Sequence, residues 1–376
     1  MKRALPLLLL VGCVSYRAER AVDSPADAQF LTLRETAIHV VDEGPRGAPT
    51  VVLIHGFASS VGVWAPIMER LSETHRVIAL DLKGFGLSGR PEGAPADYSP
   101  EEQAKIVLAL MDAKSVHSAA IVAHSWGSSV ALQVALQAPE RVERIALYDA
   151  WVYSEQLPTA FYWARAGGVG EMIFGAFYDQ RPEDKIALAF YDPEIIPQAL
   201  VDTVERQLDR EGTSGAALQA VRAMRYEEVE PRYSEITAPT LLLWGREDTV
   251  TPLEFGERLA NQLPEARLEV YPRCGHFPMI EAARPSTRAL LAFLSSPASP
   301  AADASRRAAE TQRSQSDPQE EGGSEWDVGS RGSESEGGSR SSESESEVGV
   351  GSSESGSGSE SESESESESE SRGAAW

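Results

Sequence analysis

Cysteine is almost absent from this chain, with only Cys13 and Cys274 among 376 residues, so no disulfide framework organises it. Basic charge is scarce too: 34 lysines and arginines stand against 58 aspartates and glutamates, a formal net charge of −24. Without a basic stripe to meet phosphates, a nucleic-acid-binding role is excluded. The acidity is uneven. From residue 301 onward there are 19 acidic and 6 basic residues, a net of −13, which leaves −11 for the first 300. Large apolar residues nearly vanish in the same region, which ends in SESESESESESRGAAW. Such a composition cannot bury enough surface to offset chain entropy, so residues 297–376 are expected to form a disordered acidic tail.

A long apolar run is also missing. Lys2 and Arg3 precede a short apolar segment, Ala4 to Val11, and polar sequence follows. That is the layout of a secretory signal, too short to serve as a permanent bilayer helix. The stretch Leu10-Val11-Gly12-Cys13 resembles the lipobox of bacterial lipoproteins. The resemblance implies a signal peptide over 1–12, acylation of Cys13, and a linker over 13–29 tethering the protein to a membrane. The expected location is that of an exported, membrane-anchored lipoprotein. A secreted or periplasmic protein with an incidental cysteine is the alternative.

Between these ends, apolar runs of strand length alternate with helical patterns. The runs are TVVLIHG (50–56), RVIALDL (76–82), SAAIVAHS (118–125), RIALYDA (144–150), TLLLWGRED (240–248) and ARLEVYP (266–272). Several are nearly continuous in Val, Ile and Leu, as buried parallel strands are. SPEEQAKIVLALMDAK opens with Ser99 as N-cap, Pro100 at the first position and Glu102 at the third, a capping box. Residues 30–44 read as a leading antiparallel hairpin. This alternation predicts an α/β fold with a doubly wound, mostly parallel sheet. From about 152 to 236 no strand candidate occurs, and an interval that long is too large for a loop. It is expected to be a helical cap inserted between a first core part, 30–151, and a second, 237–296.

The chemistry centres on AHSWG, which departs from the common G-x-S-x-G by placing Ala123 where the first glycine stands. Ser125 there lies between a strand-like run and a helical one, at a helix N-terminus that favours developing negative charge. Two further stretches follow buried runs: GREDTVTP, containing Asp248, and CGHFPMIE, containing His276. A fourth, HGFASS, follows TVVLI. With these four stretches in this order, residues 30–295 resemble the α/β-hydrolase superfamily. The resemblance implies a catalytic triad in the chain order Ser125, Asp248, His276. It also implies an oxyanion hole built from the backbone N–H groups of Phe57 and Trp126. Asp149, closing ALYDA, is a rival for the acid. His55 is expected to orient its loop, Asp81 in DLKGFGLSGRP to brace loops, and Cys274 to fill space; Lys83 stands where the family usually has Arg.

In such a mechanism His276 takes the proton of Ser125, and water resolves an acyl-enzyme, with no cofactor and no metal. A serine at the elbow departs from the dehalogenase and epoxide hydrolase branches, which use Asp. The SWGSS elbow resembles that of proline iminopeptidases, but HGFAS is not their HGGPG loop. The expected activity is hydrolysis of a carboxylic ester of a small or medium acyl substrate. Hydrolysis of a carbon–carbon bond, thioester or lactone on the same triad is the alternative, and a non-catalytic ligand-binding protein is the rival from another class. Trp151, Phe161, Tyr162, Trp163, Phe174 and Phe177 are candidates either for an apolar acyl pocket or for the cap's own core.

Overall fold

The computed structural model describes residues 24–91, 97–177 and 182–297, all within the unit Met1–Ser316. Cys13, the signal segment and most of the acidic tail lie outside the described residues.

Eight strands form one sheet: β1 (Gln29–Leu33), β2 (Thr36–Glu43), β3 (Thr50–Ile54), β4 (Arg76–Leu80), β5 (Ala119–His124), β6 (Val142–Tyr148), β7 (Thr240–Gly245) and β8 (Ala266–Tyr271). Their spatial order is β1-β2-β4-β3-β5-β6-β7-β8. β1 and β2 form an antiparallel hairpin, and β2 also pairs antiparallel with β4. Arg34 and Glu35 at the hairpin turn both have positive φ, the geometry whose twist matches that of the flanking strands. From β4 across to β8 every pairing is parallel.

Successive residues of a strand point to opposite faces, and here both faces are covered. Val52, Ile54, Ile121 and Ala123 join one buried cluster, whereas Val51, Leu53, Ala120 and Val122 join the other. Burial on both sides is why these strands read as continuous apolar runs. Helices α1 (Ala65–Ser72), α2 (Pro100–Ala113) and α3 (Gly127–Gln137) connect the first strands. Ser99 caps α2 through Glu102 N–H (3.2 Å). The second half of the expected capping box is different. The Glu102 carboxylate pairs with Arg34 (2.6 and 3.1 Å), and the Ser99 N–H donates to Asp97 (2.8 Å).

Between β6 and β7 the described residues contain helices and no strand. The helices are α4 (Thr159–Ala164), α5 (Val169–Phe177), α6 (Pro182–Ala189), α7 (Gln198–Leu208), α8 (Thr213–Arg222) and α9 (Tyr226–Val229). The chain closes with α10 (Leu253–Gln262), α11 (Pro278–Glu281) and α12 (Ala283–Leu294). Among the described residues no helix is long and apolar enough to cross a membrane. The direction of winding reverses between β3 and β5, and α/β sheets open a crevice at the strand ends of such a point.

Candidate active site

β5 ends at His124 and α3 begins at Gly127, so Ser125 and Trp126 alone turn the chain. Ser125 has a φ of +51°, a left-handed conformation that an L-residue keeps only under constraint. The constraint is visible: the Ser125 N–H donates to the Tyr148 carbonyl (2.9 Å), and its own carbonyl accepts from Trp151 (3.1 Å) and Ser128 (2.9 Å). The turn also needs small neighbours. A Cβ on Gly127 would lie 2.3 Å from the His55 carbonyl oxygen, and one on Gly56 would lie 2.9 Å from the Ser125 Cβ. The loop after β3 therefore presses against the elbow backbone to backbone.

Asp248 follows β7 and His276 follows β8, and the fold brings both to Ser125. Ser125 Oγ is 2.9 Å from His276 Nε2, and His276 Nδ1 is 2.8 Å from Asp248 Oδ2. Relative exposures of Ser125, His276 and Asp248 are 4%, 4% and 5%. Because Nδ1 carries the hydrogen that Asp248 accepts, Nε2 presents its lone pair to the serine hydroxyl.

A family model for the α/β hydrolase fold matches residues 49–283. The chain belongs to the α/β hydrolase family. This hydrolase is 31% identical over 271 residues to the 2-hydroxy-6-oxo-2,4-heptadienoate hydrolase of Pseudomonas putida, an alignment covering 69% of this chain and 92% of the relative. It is 28% identical over 264 residues to RutD of Variovorax paradoxus, a protein named for carbamate hydrolysis, covering 70% and 98%. The solved meta-cleavage product hydrolase of Pseudomonas fluorescens superposes with a TM-score of 0.59 at 25% identity, over 71% of this chain and 97% of that one.

The loop residues flanking the site act as braces. Asp81 accepts from the N–H groups of Val61 (2.7 Å) and Leu87 (2.8 Å) and pairs with His39 Nδ1 (2.8 Å). His55 donates from Nδ1 to the Gly56 carbonyl (2.7 Å) and accepts at Nε2 from the Leu82 N–H (2.9 Å). Burial keeps His55 neutral by lowering its pKa. Cys274 is buried and its thiol is pushed up, mainly by desolvation.

Two residues escape a reading of the sequence. His124 donates from Nε2 to the His276 carbonyl (2.8 Å), with the two rings 4.8 Å apart. Burial, and then the nearby His276, hold its pKa well below the usual histidine value, so it braces His276 without adding charge. Only its position beside the serine hinted at this. Glu281, in the quoted CGHFPMIE, accepts from Gly275 (2.9 Å) and Phe277 (3.3 Å) with Oε1 and from Tyr191 (2.8 Å) with Oε2. One carboxylate thus ties both sides of His276 to the segment after α6. The His276 N–H also donates to the Ala189 carbonyl (2.7 Å). Glu281→Gln leaves one good acceptor for the two groups of donors. Hydrolytic kcat/KM is expected to fall roughly tenfold, the value of one hydrogen bond to a charged acceptor. An unchanged kcat/KM in steady-state assays would show that the loop holds His276 without this tie.

The aromatic candidates divide. Phe57 packs against Trp126 (6.1 Å), Trp151 (6.4 Å) and Phe161 (5.5 Å), and Phe161 continues to Phe174 (5.8 Å). Tyr162 and Trp163 point outward, at 44% and 64% exposure. The side chain of Phe177 lies outside the described residues.

Proposed function

We propose that this hydrolase cleaves a carboxylic ester of a small or medium acyl substrate through an acyl-enzyme on Ser125. The hydrogen-bonded line Ser125–His276–Asp248 carries the reading. A serine hydroxyl is a poor nucleophile at neutral pH, and His276 Nε2, placed 2.9 Å away, is in position to take its proton as the oxygen attacks. Asp248 fixes the tautomer and stabilises the imidazolium that forms. The negative charge that develops on the carbonyl oxygen is assigned to the backbone N–H groups of Phe57 and Trp126, at the end of the pressed loop and the start of α3. His276 then returns its proton to the leaving alcohol, and water repeats the sequence to free the acid. The aromatic cluster from Phe57 to Phe174, packed beside Trp126, is the apolar surface that favours an apolar acyl group.

The test is fluorophosphonate labelling of the full chain, followed by a series of p-nitrophenyl esters of increasing chain length. Labelling at Ser125 with a chain-length preference is expected. No labelling would remove the nucleophile and favour a ligand-binding role on the same fold. The names of the Pseudomonas relatives favour a second reading, hydrolysis of a carbon–carbon bond beside a ketone by the same three residues; labelling without turnover of any ester would select it. We further propose that the chain is exported and anchored through acylated Cys13. Cys13→Ser is then expected to move the protein from the membrane fraction to the soluble one, and identical fractionation of variant and parent would overturn the anchor.

A further inference from the structure

Asp149 follows β6 and is fully buried beside the site. One oxygen of its carboxyl, one of Asp248 and a ring nitrogen of His276 lie within 4.8 Å of one another. The two carboxyls differ sharply in their surroundings. Asp248 accepts four hydrogen bonds: from the N–H groups of Val250 (2.7 Å) and Thr251 (3.0 Å) at Oδ1, and from Thr251 Oγ1 (2.6 Å) and His276 Nδ1 (2.8 Å) at Oδ2. Asp149 accepts one, from the Gly245 N–H at Oδ1 (2.8 Å), while its Oδ2 is buried with no donor to accept from among the described residues.

Two buried carboxyl groups within 4.8 Å of each other repel as anions, which favours a proton on one of them. The donors decide where it sits. Four of them suit an anion at Asp248, whereas an Asp149 oxygen facing no donor is the one that suits an O–H. The backbone fixes Asp149 in place: its φ is +43° and its N–H donates to the Leu243 carbonyl (3.0 Å).

We infer that Asp149 is a positioning residue that donates a hydrogen bond from its Oδ2–H to the Asp248 carboxylate and holds it in line with His276. The inference rests on the reading of Ser125, His276 and Asp248 as the catalytic array. Desolvation, and then the charge of Asp248, hold the Asp149 carboxyl well above the ordinary range, in the direction the donors require. The other groups near Asp149 are Glu281, Cys274 and Tyr148, and His124 lies against His276. Burial keeps Cys274 and Tyr148 protonated and His124 neutral, so Glu281 is the one further carboxyl in this group.

The experiment compares the full chain with Asp149→Ala and Asp149→Asn. It reads the rate of fluorophosphonate labelling against pH and, independently, the downfield Nδ1 proton of His276 by NMR. Asp149→Ala removes the donor, which leaves Asp248 more basic toward His276. The imidazolium is then favoured, so the acid limb should move to higher pH, labelling at neutral pH should fall about tenfold, and the Nδ1 resonance should shift. Asn tolerates the left-handed backbone and offers an N–H where the acid offered an O–H, so Asp149→Asn should rescue both limb and resonance. If Asp149 were instead ionised, Asn would delete a negative charge beside His276 and lower the acid limb by about one unit or more, which would overturn the inference. An alanine variant matching the parent in limb and resonance would overturn it too. A parent that does not label would instead fail the nucleophile reading, and the resonance in Asp149→Ala would still decide whether Asp149 touches the array.

Discussion

Ser125→Ala is expected to lower ester turnover by about 10 000-fold or more while leaving the melting temperature within a few degrees of the parent. The size follows from what remains. Without Oγ, His276 has no nucleophile to activate, and the residual rate comes from binding and the amide donors alone, which act on attack by free water. Stability should hold because the elbow is fixed by backbone contacts that alanine keeps: Ser125 N–H to Tyr148, and Trp151 N–H to Ser125. Alanine also accepts the backbone conformation no worse than serine does. Retention of more than a few per cent of turnover in the purified variant would mean that the reaction does not pass through this oxygen.

Much of this site is legible in the sequence because its signals are local. Ser125 and Asp248 follow the buried strands β5 and β7, His276 follows the partly buried edge strand β8, and a strand end is where α/β sheets open. Asp149 follows such a strand as well, but Asp248 has the fuller motif around it, GREDTVTP. Three of the four hydrogen bonds to Asp248 come from Val250 and Thr251, just after it in the chain, whereas the donor to Asp149, the Gly245 N–H, is brought by the fold from 96 residues away. Thr251 turns back on Asp248 and Gly245 reaches Asp149, and the two carboxyls acquire different tasks.

Residues whose partners are remote stay hidden for the same reason. Glu102 sits at the capping-box position, yet its carboxylate goes to Arg34, 68 residues earlier. Glu281 is recognisable as a polar residue near His276, but its bond to Tyr191 spans 90 residues. The aromatic stretch AFYWARAGG shows a further limit. α4 is only six residues long, less than two turns, so periodicity cannot say that Phe161 turns inward while Tyr162 and Trp163 face solvent.

Gly127→Ala is expected to damage both fold and function, although helix propensity alone favours alanine there by about 1 kcal/mol. The new Cβ would stand 2.3 Å from the His55 carbonyl oxygen, 2.7 Å from that of Ile54 and 3.0 Å from the His55 carbonyl carbon. All three are backbone atoms at the end of β3, which is paired on both sides, with Ile54 opposite Leu80 and Ala123. No side chain can swing away, so either α3 or the loop carrying Phe57 must shift. Overpacking of this kind costs about 3 kcal/mol or more, roughly 6–12 °C in a domain of this size. Because the displaced loop holds one of the two assigned oxyanion donors, labelling of Ser125 should slow more than tenfold as well. Gly215→Ala serves as the control. It lies exposed in α8 with nothing within 4 Å of the added carbon, so it should raise stability by up to about 1 kcal/mol and leave labelling alone. Equal melting temperatures and labelling rates for Gly127→Ala and the parent would show that the elbow and the loop after β3 are not in contact. The oxyanion assignment to Phe57 would lose its footing with them.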